Sequence, residues 1–360
     1  MSGALVGLRV LDISSLYAAP LAASILADFG ADVIKVEPPE GDGLRGTGMW
    51  PMVARGKRSL VLDLRSTTGQ VALRRLAGKA DVLVQNFPAE VLRKRGLDWD
   101  ALSEINPRLI MLSISCFGQG GPYADRPGSG TIGEAFGGLT HLTGRAKDIP
   151  MLPSVALGDA LGAMNPVIGT MTALYARDHG KGHGQQVDAS LYEPIITAIG
   201  QAFQWWRPGN SPSRNGSRMP EGGGLRNLYA TADDRFVAVS ASTSRHIEAL
   251  ATLASAKQGE DLDRAVAAWI ICRPLDESLT TLVEHRIPVA PVNDIDALLA
   301  DPQARARRSI VTLSDPELGD VLLPAPTPHL SLTPGKIGAI NPPLDGAGPS
   351  IFREWGVTQD

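Results

Sequence analysis

The chain has 360 residues, 43% of them hydrophobic, too long for one small core and long enough for two domains of ordinary size. A net charge of −4 gives no electrostatic footing for nucleic acid. The two cysteines, Cys116 and Cys272, lie far apart and in no CxxC, so neither a disulfide framework nor a metal site is indicated.

The opening MSGALVGLRVLDIS has no basic region followed by a long apolar run, and no later stretch reaches the ~18 apolar residues of a membrane helix. A soluble, cytoplasmic protein without membrane contact is expected. Leu8 to Ile13 reads as a buried strand, Pro20 sits at a helix start with Leu21, Ile25 and Phe29 on one face, and Gly30 stops it before a second strand, Val33 to Glu37. This β-α-β unit predicts a parallel sheet with a right-handed crossover. The formal GxGxxG at Gly41, Gly43 and Gly46 follows two prolines and cannot open a helix, so it is read as a loop rather than a dinucleotide site. Strands at Ser59 to Leu64, Asp81 to Gln85 and Leu109 to Ser115, with a helix capped by Thr67 or Thr68, continue the alternation that a doubly wound domain requires.

Lys57 and Arg58 stand before one strand, Asn86 and Phe87 at the end of the next, and Lys94 and Arg95 close a short helix. Ligands of open α/β sheets bind at strand carboxyl ends, so Asn86 and Phe87 suit a base or a pantetheine arm. The four basic side chains are candidates for phosphate pairing, against the plainer reading of a solvated surface.

The stretch PMLPSVALGDALGAMNPVIG sets one carboxylate, Asp159, after Gly158 and before small and apolar residues, with Leu161, Met164, Ile168, Met171 and Leu174 at helical spacing. Two roles fit: a helix N-cap, or a nucleophile at a helix start, held ionised by the macrodipole. Farther on, His179 and His183 have no third ligand in view, so no metal is expected. A helix is read from Ser190 to about Trp206. Arg207 to Gly224 lacks periodicity and is read as a crossover; its Gly222, Gly223 and Gly224 fit a plain linker or a functional loop. A hairpin over Leu228 to Ser240, three helices, a strand at Val289 to Val292 and a hairpin between Ile310 and Leu323 complete a smaller α+β region, before a proline-rich tail. The domains expected are 1–206, a linker at 207–224, 225–323, and a return segment at 324–360 packed on the first.

The segments LRVLDISSLYAAPLAASILADFGADVIKVEPPEGD, RGKRSLVLDL, ADVLVQNF, NPRLI, GQGGPYADRPG, PSVALGDALGAM, GHGQQVDASLYE and VAPVND together resemble the class III CoA-transferase family, which includes the 2-methylacyl-CoA racemases. The resemblance implies a Rossmann-like large domain, a smaller α+β domain and an interlocked homodimer. It makes Asp159 the catalytic residue and implies that Leu16, Tyr17, Ala18, Asn86, Phe87 and Lys94 hold coenzyme A. It also gives Gly222 to Gly224 the place of a glycine loop over the aspartate. Where transferases of the family carry a large aromatic and racemases a histidine, this chain has Ser129; where racemases carry a glutamate, it has Thr243. The leading expectation is CoA transfer from an acyl-CoA to a small carboxylic acid through an aspartyl-CoA thioester, with no metal or redox cofactor. The alternatives are a racemase using Asp159 as acid and base, and a non-catalytic acyl-CoA-binding protein.

Overall fold

A computed structural model describes residues 3–218, 224–348 and 350–357. The first half alternates β1 (Arg9–Asp12), α1 (Ala18–Asp28), β2 (Asp32–Glu37), α2 (Trp50–Ala54), β3 (Lys57–Val61), α3 (Thr67–Ala77), β4 (Val82–Gln85), α4 (Ala89–Arg95), α5 (Trp99–Ile105) and β5 (Ile110–Ser115). Then come α6 (Gly130–Phe136), α7 (Leu139–Leu142), the long α8 (Leu157–His179), β6 (Gln186–Ser190), α9 (Glu193–Ala198) and α10 (Gly200–Trp205). The remainder holds β7 (Leu225–Ala230), β8 (Phe236–Ala241), α11 (Ser244–Leu253), α12 (Leu262–Ile270), α13 (Leu275–Glu284) and β9 (Val289–Pro291). It ends with α14 (Ile295–Ala300), α15 (Pro302–Ala306), β10 (Ile310–Asp315), β11 (Gly319–Pro324) and α16 (Ser350–Glu354).

Six strands form one parallel sheet in the order β3-β2-β1-β4-β5-β6, so the winding reverses between β1 and β4. That is the doubly wound order, and its ligand crevice lies at the carboxyl ends of the strands flanking the reversal. Successive strand residues face opposite ways. Val10, Val33, Val84 and Leu112 pack under Leu21, Leu26, Ala163 and Leu174 of α1 and α8. Leu11, Ile34, Leu83 and Met111 pack on the other side against Leu73, Leu92, Leu102 and Phe352 of α3, α4, α5 and α16. Burial on both faces explains why these strands read as near-continuous apolar runs.

The chain divides into two compact units. The first takes the described residues of Met1–Gly137, Pro153–Ala198 and Ala306–Asp360, the second Gly138–Leu152 and Ile199–Arg305. These limits differ from the expected 206 and 323 because the β10–β11 hairpin buries Leu323 with Ile337 and Ile340, beside Met52 of α2, and so joins the first unit. Within the second unit, residues 138–152 are tied to the 207–218 stretch by the Gly216 N–H on the Gly144 carbonyl (3.0 Å) and by Arg214 on the Asp148 carbonyl (2.9 Å). Its sheet, β7-β8-β9, is antiparallel and packs Tyr229, Val237 and Val239 against Leu250, Val266 and Leu282. In the first unit the tail runs along the sheet, with the Gly56 N–H on the Ala339 carbonyl (2.8 Å) and the Trp50 indole on Asn341 (3.1 Å).

Some local expectations are corrected. Ser66, rather than Thr67 or Thr68, caps α3, its hydroxyl accepting the Gly69 N–H at 3.0 Å. The single helix expected over 190–206 is broken into α9 and α10: Ile199 leaves helical geometry just before Gly200, whose backbone is costly to fix. Among the described residues no helix is long and apolar enough to cross a membrane.

Candidate active site

Asp159 is the third residue of α8, inside its first turn. It is therefore not the N-cap: Ala156 holds that place and makes no side-chain cap. Burial raises the Asp159 pKa first, repulsion from Glu134 adds to this, and a hydrogen bond from the Gly130 N–H partly offsets both. The expectation that the macrodipole holds Asp159 ionised is thus outweighed, because the dipole acts over one turn while desolvation penalises the whole charge.

Glycines make this packing possible. A Cβ on Gly130 would stand 2.1 Å from Asp159 Oδ2 and 2.6 Å from its N, and a Cβ on Gly158 would stand 2.5 Å from the Gly130 carbonyl oxygen. The first turns of α6 and α8 touch backbone to backbone. Glu134, one turn further along α6 and only 2% exposed, accepts the Gly158 N–H at 2.7 Å. Tyr17 and Cys116 also face Asp159: burial raises both pKa values, and the Asp159 charge adds to each shift.

A cleft of about 240 Å³ lies at the carboxyl ends of β1 to β4, lined by Ser14, Ser15, Leu62, Arg65, Phe87 and Arg95 among others. Gly41 and Gly43 form part of its wall, in a loop after β2 that opens no helix before Trp50. Asn86 stitches the reversal point together: its Oδ1 accepts the Ser15 N–H at 3.0 Å and its Nδ2 donates to the Ser15 carbonyl at 2.8 Å. The loop thereby fixed continues through Leu16, exposed and in the left-handed region at φ 65°, to Tyr17 beside Asp159 and Ala18 at the start of α1. One short segment thus links the cleft to the carboxylate.

The basic candidates separate. Arg95 lines the cleft, with its guanidinium 5.6 Å from the centre of the Phe87 ring. Lys57 does not reach it: the ammonium is fully buried, on Asp12 at 2.6 Å and the Pro20 carbonyl at 2.7 Å. Arg58 is bound to Asp32 and Glu354. Both begin β3: Arg58 stays at the end away from the crevice, while the Lys57 ammonium reaches up to Asp12 at the carboxyl end of β1 and is held there, so neither is free to meet a phosphate. Lys94 is exposed and pairs with Glu90 at 2.8 Å. Arg65, which no sequence motif singles out, follows the carboxyl end of β3, the kind of position that favours Asn86, and lines the cleft while paired with Asp63 at 2.7 Å and Glu40 at 3.3 Å.

Ser129 precedes α6 and is exposed, its carbonyl accepting from the Cys116 thiol at 3.6 Å. Thr243 caps α11, accepting the His246 N–H at 3.3 Å. Gly222 and Gly223 lie outside the described residues. Gly224 has φ 70°, and a Cβ there would meet the Ala241 carbonyl oxygen at 2.1 Å, so the start of β7 requires a glycine. Among the described residues no three His, Cys, Asp or Glu side chains cluster as a metal would need.

Residues 5–347 match the CoA-transferase family III. The chain is 33% identical to succinyl-CoA–D-citramalate CoA-transferase of Chloroflexus aurantiacus, over 98% of this chain and 94% of that protein. It is 35% identical to the succinyl-CoA–L-malate CoA-transferase beta subunit of the same organism, over 97% and 93%. Succinate–glutarate CoA-transferase of Agrobacterium fabrum is 31% identical, over 97% and 94%. Among solved structures, a CAIB/BAIF family protein from Brucella suis superposes with a TM-score of 0.85 at 30% identity, covering 99% of this chain and all of that one. The chain belongs to CoA-transferase family III and is an enzyme of that class.

Proposed function

We propose that the enzyme moves CoA from a dicarboxylic acyl-CoA, of the succinyl-CoA kind its relatives are named for, to a second small carboxylic acid through a thioester on Asp159. The observation that carries this is a single carboxylate of raised pKa at the start of α8, linked by the Ser15–Tyr17 loop to a cleft with two arginines. A carboxylate of raised pKa is the better nucleophile, and partial burial limits hydrolysis of an acyl intermediate.

In the first half, an Asp159 oxygen attacks the thioester carbonyl and the C–S bond breaks, giving a mixed anhydride and CoA thiolate. The thiolate attacks the aspartyl carbonyl, releases the donor acid and leaves the aspartyl-CoA thioester. The acceptor carboxylate then attacks that thioester, expels the thiolate and forms a second anhydride. Thiolate attack on the acceptor's carbonyl gives the new acyl-CoA and restores Asp159. Racemisation needs a second base across the α-carbon, and the hydroxyls of Ser129 and Thr243 are poor ones. Mass spectrometry after hydroxylamine quenching is the test: an adduct on the Asp159 peptide supports transfer. Deuterium uptake at the α-carbon without an adduct or CoA exchange would mean racemisation, and tight CoA binding without turnover would mean a binding protein.

Coenzyme A would lie in the cleft, with Arg65 and Arg95 on its phosphates and Phe87 against its organic part. Arg65→Ala and Arg95→Ala should each weaken CoA binding, and by less at high salt. Arg58→Ala should leave it unchanged. Calorimetric affinities equal to the parent for both cleft variants would put the phosphates elsewhere, with Lys94 the next position to test.

The active form would be an interlocked homodimer. Met164, Ile168, Met171 and Tyr175 recur at helical spacing on α8 and are exposed, Ile168 by 66% and Tyr175 by 67%. An apolar stripe of that extent on a soluble protein marks a contact surface, and a second copy is the occupant offered. Ile168→Glu should shift the mass by light scattering from two chains toward one; a parent that scatters as a monomer with full activity would end the proposal. The free thiols Cys116 and Cys272 suit the cytoplasmic location offered for this enzyme.

A further inference from the structure

We propose that Glu134 is a positioning and charge-setting residue of the reaction: a buried carboxylate against the first turn of α8 that holds Gly158 and opposes the charge on Asp159, favouring the covalent states in which that charge is gone. The proposal rests on the reading of Asp159 as nucleophile.

The geometry is built from two helix starts. Gly130 and Glu134 are four residues apart, hence on one face of α6, and that face meets the first turn of α8. Gly130 donates its N–H to Asp159, and Glu134 accepts the N–H of Gly158, the residue just before it. Among the described residues neither carboxylate pairs with lysine or arginine. The other titratable groups facing Asp159 are the Tyr17 phenol and the Cys116 thiol, both raised by burial and so neutral at working pH, and the cation acting on Tyr17, Arg55, is held by Asp28.

Two carboxylates brought together in a half-dry site repel. When an Asp159 oxygen bonds to the acyl carbon and the C–S bond breaks, the electron pair leaves on sulfur, and one negative charge departs from the pair with the CoA thiolate. No proton need move. The repulsion is present before the attack and absent after it, so it speeds acylation and weakens nothing in CoA binding.

Glu134→Gln separates charge from scaffold, since the amide oxygen still accepts the Gly158 N–H while the charge is removed. The expected result is a several-fold loss of kcat, because the repulsion that the attack relieves is gone. KM for acyl-CoA should be unchanged, melting temperature equal or higher, and the acid limb of the rate profile moved to lower pH. Glu134→Ala should add a loss of melting temperature, because the Gly158 N–H is orphaned. The readout that distinguishes the two readings is hydroxylamine trapping on Asp159 in parent and variant. Absence of the adduct in the parent would remove the nucleophile reading itself. An adduct in the parent, with Glu134→Gln matching it in trapping rate, kcat and acid limb, or raising only KM, would overturn the role of Glu134.

Discussion

Asp159→Asn is expected to lower CoA transfer by on the order of 10⁴-fold or more, the scale seen when a covalent nucleophile is removed, while leaving CoA binding and folding intact. The amide is isosteric and keeps an oxygen for the Gly130 N–H, so α8 can start where it does. What is lost is the charge, and with it the nucleophilicity, that the proposed attack on the thioester needs. Stability should move the other way. The Asp159 pKa is raised in the folded state, so the protonated form is favoured there, and folding loses stability as pH rises from the ordinary carboxylate range through the folded value. At neutral pH the ionised side chain opposes folding. The variant should therefore melt higher than the parent near pH 7 and approach it below about pH 4, where both side chains are neutral. Calorimetric scans across that range check the sign, and initial-rate assays check the activity. A variant that turns over at a tenth of the parent rate would mean that Asp159 assists a reaction carried elsewhere.

The parts of the molecule readable from sequence are those whose causes are local. Strands such as Val10 to Asp12 and Val82 to Val84 are buried on both faces, and α1 carries its apolar residues at helical spacing, so the alternation of the sheet is visible without any contact being known. Asp159 stands out because Gly158 and the small residues after it are unusual around a carboxylate, but that pattern fits a helix N-cap equally, and the catalytic reading comes from the resemblance to the class III CoA-transferases. What could not be read depends on pairings across long separations. Lys57 looks like a free cation until strand order sets it against Asp12, 45 residues away. Glu134 looks like an ordinary helix residue until α6 and α8 are laid together, 24 residues apart at the Gly158 contact. The break between the units follows the ties from Gly144 and Asp148 to Gly216 and Arg214, which no composition shift announces.

Gly130→Ala should slow CoA transfer by on the order of 10²-fold or more, although alanine is the mildest side chain that can be added. Its methyl carbon would stand 2.1 Å from Asp159 Oδ2, 2.5 Å from Cγ and 2.6 Å from the backbone N. The carboxylate could rotate away, but the backbone nitrogen could not without shifting the first turn of α8. A displacement of about 1 Å at a reacting group costs on the order of 10²-fold, and loss of the Gly130 N–H contact would add to it. The cleft at the ends of β1 to β4 does not include Gly130, so affinity for CoA should stay within a factor of about two, which separates misplacement from unfolding. Gly48→Ala is the matched control, since a Cβ there meets nothing within 4 Å and the residue is not in the left-handed region. Steady-state rates, CoA affinity by calorimetry and melting curves on the three proteins decide the matter. Full activity in Gly130→Ala would mean that the α6–α8 contact yields to an added methyl and that Asp159 does not depend on it for its position.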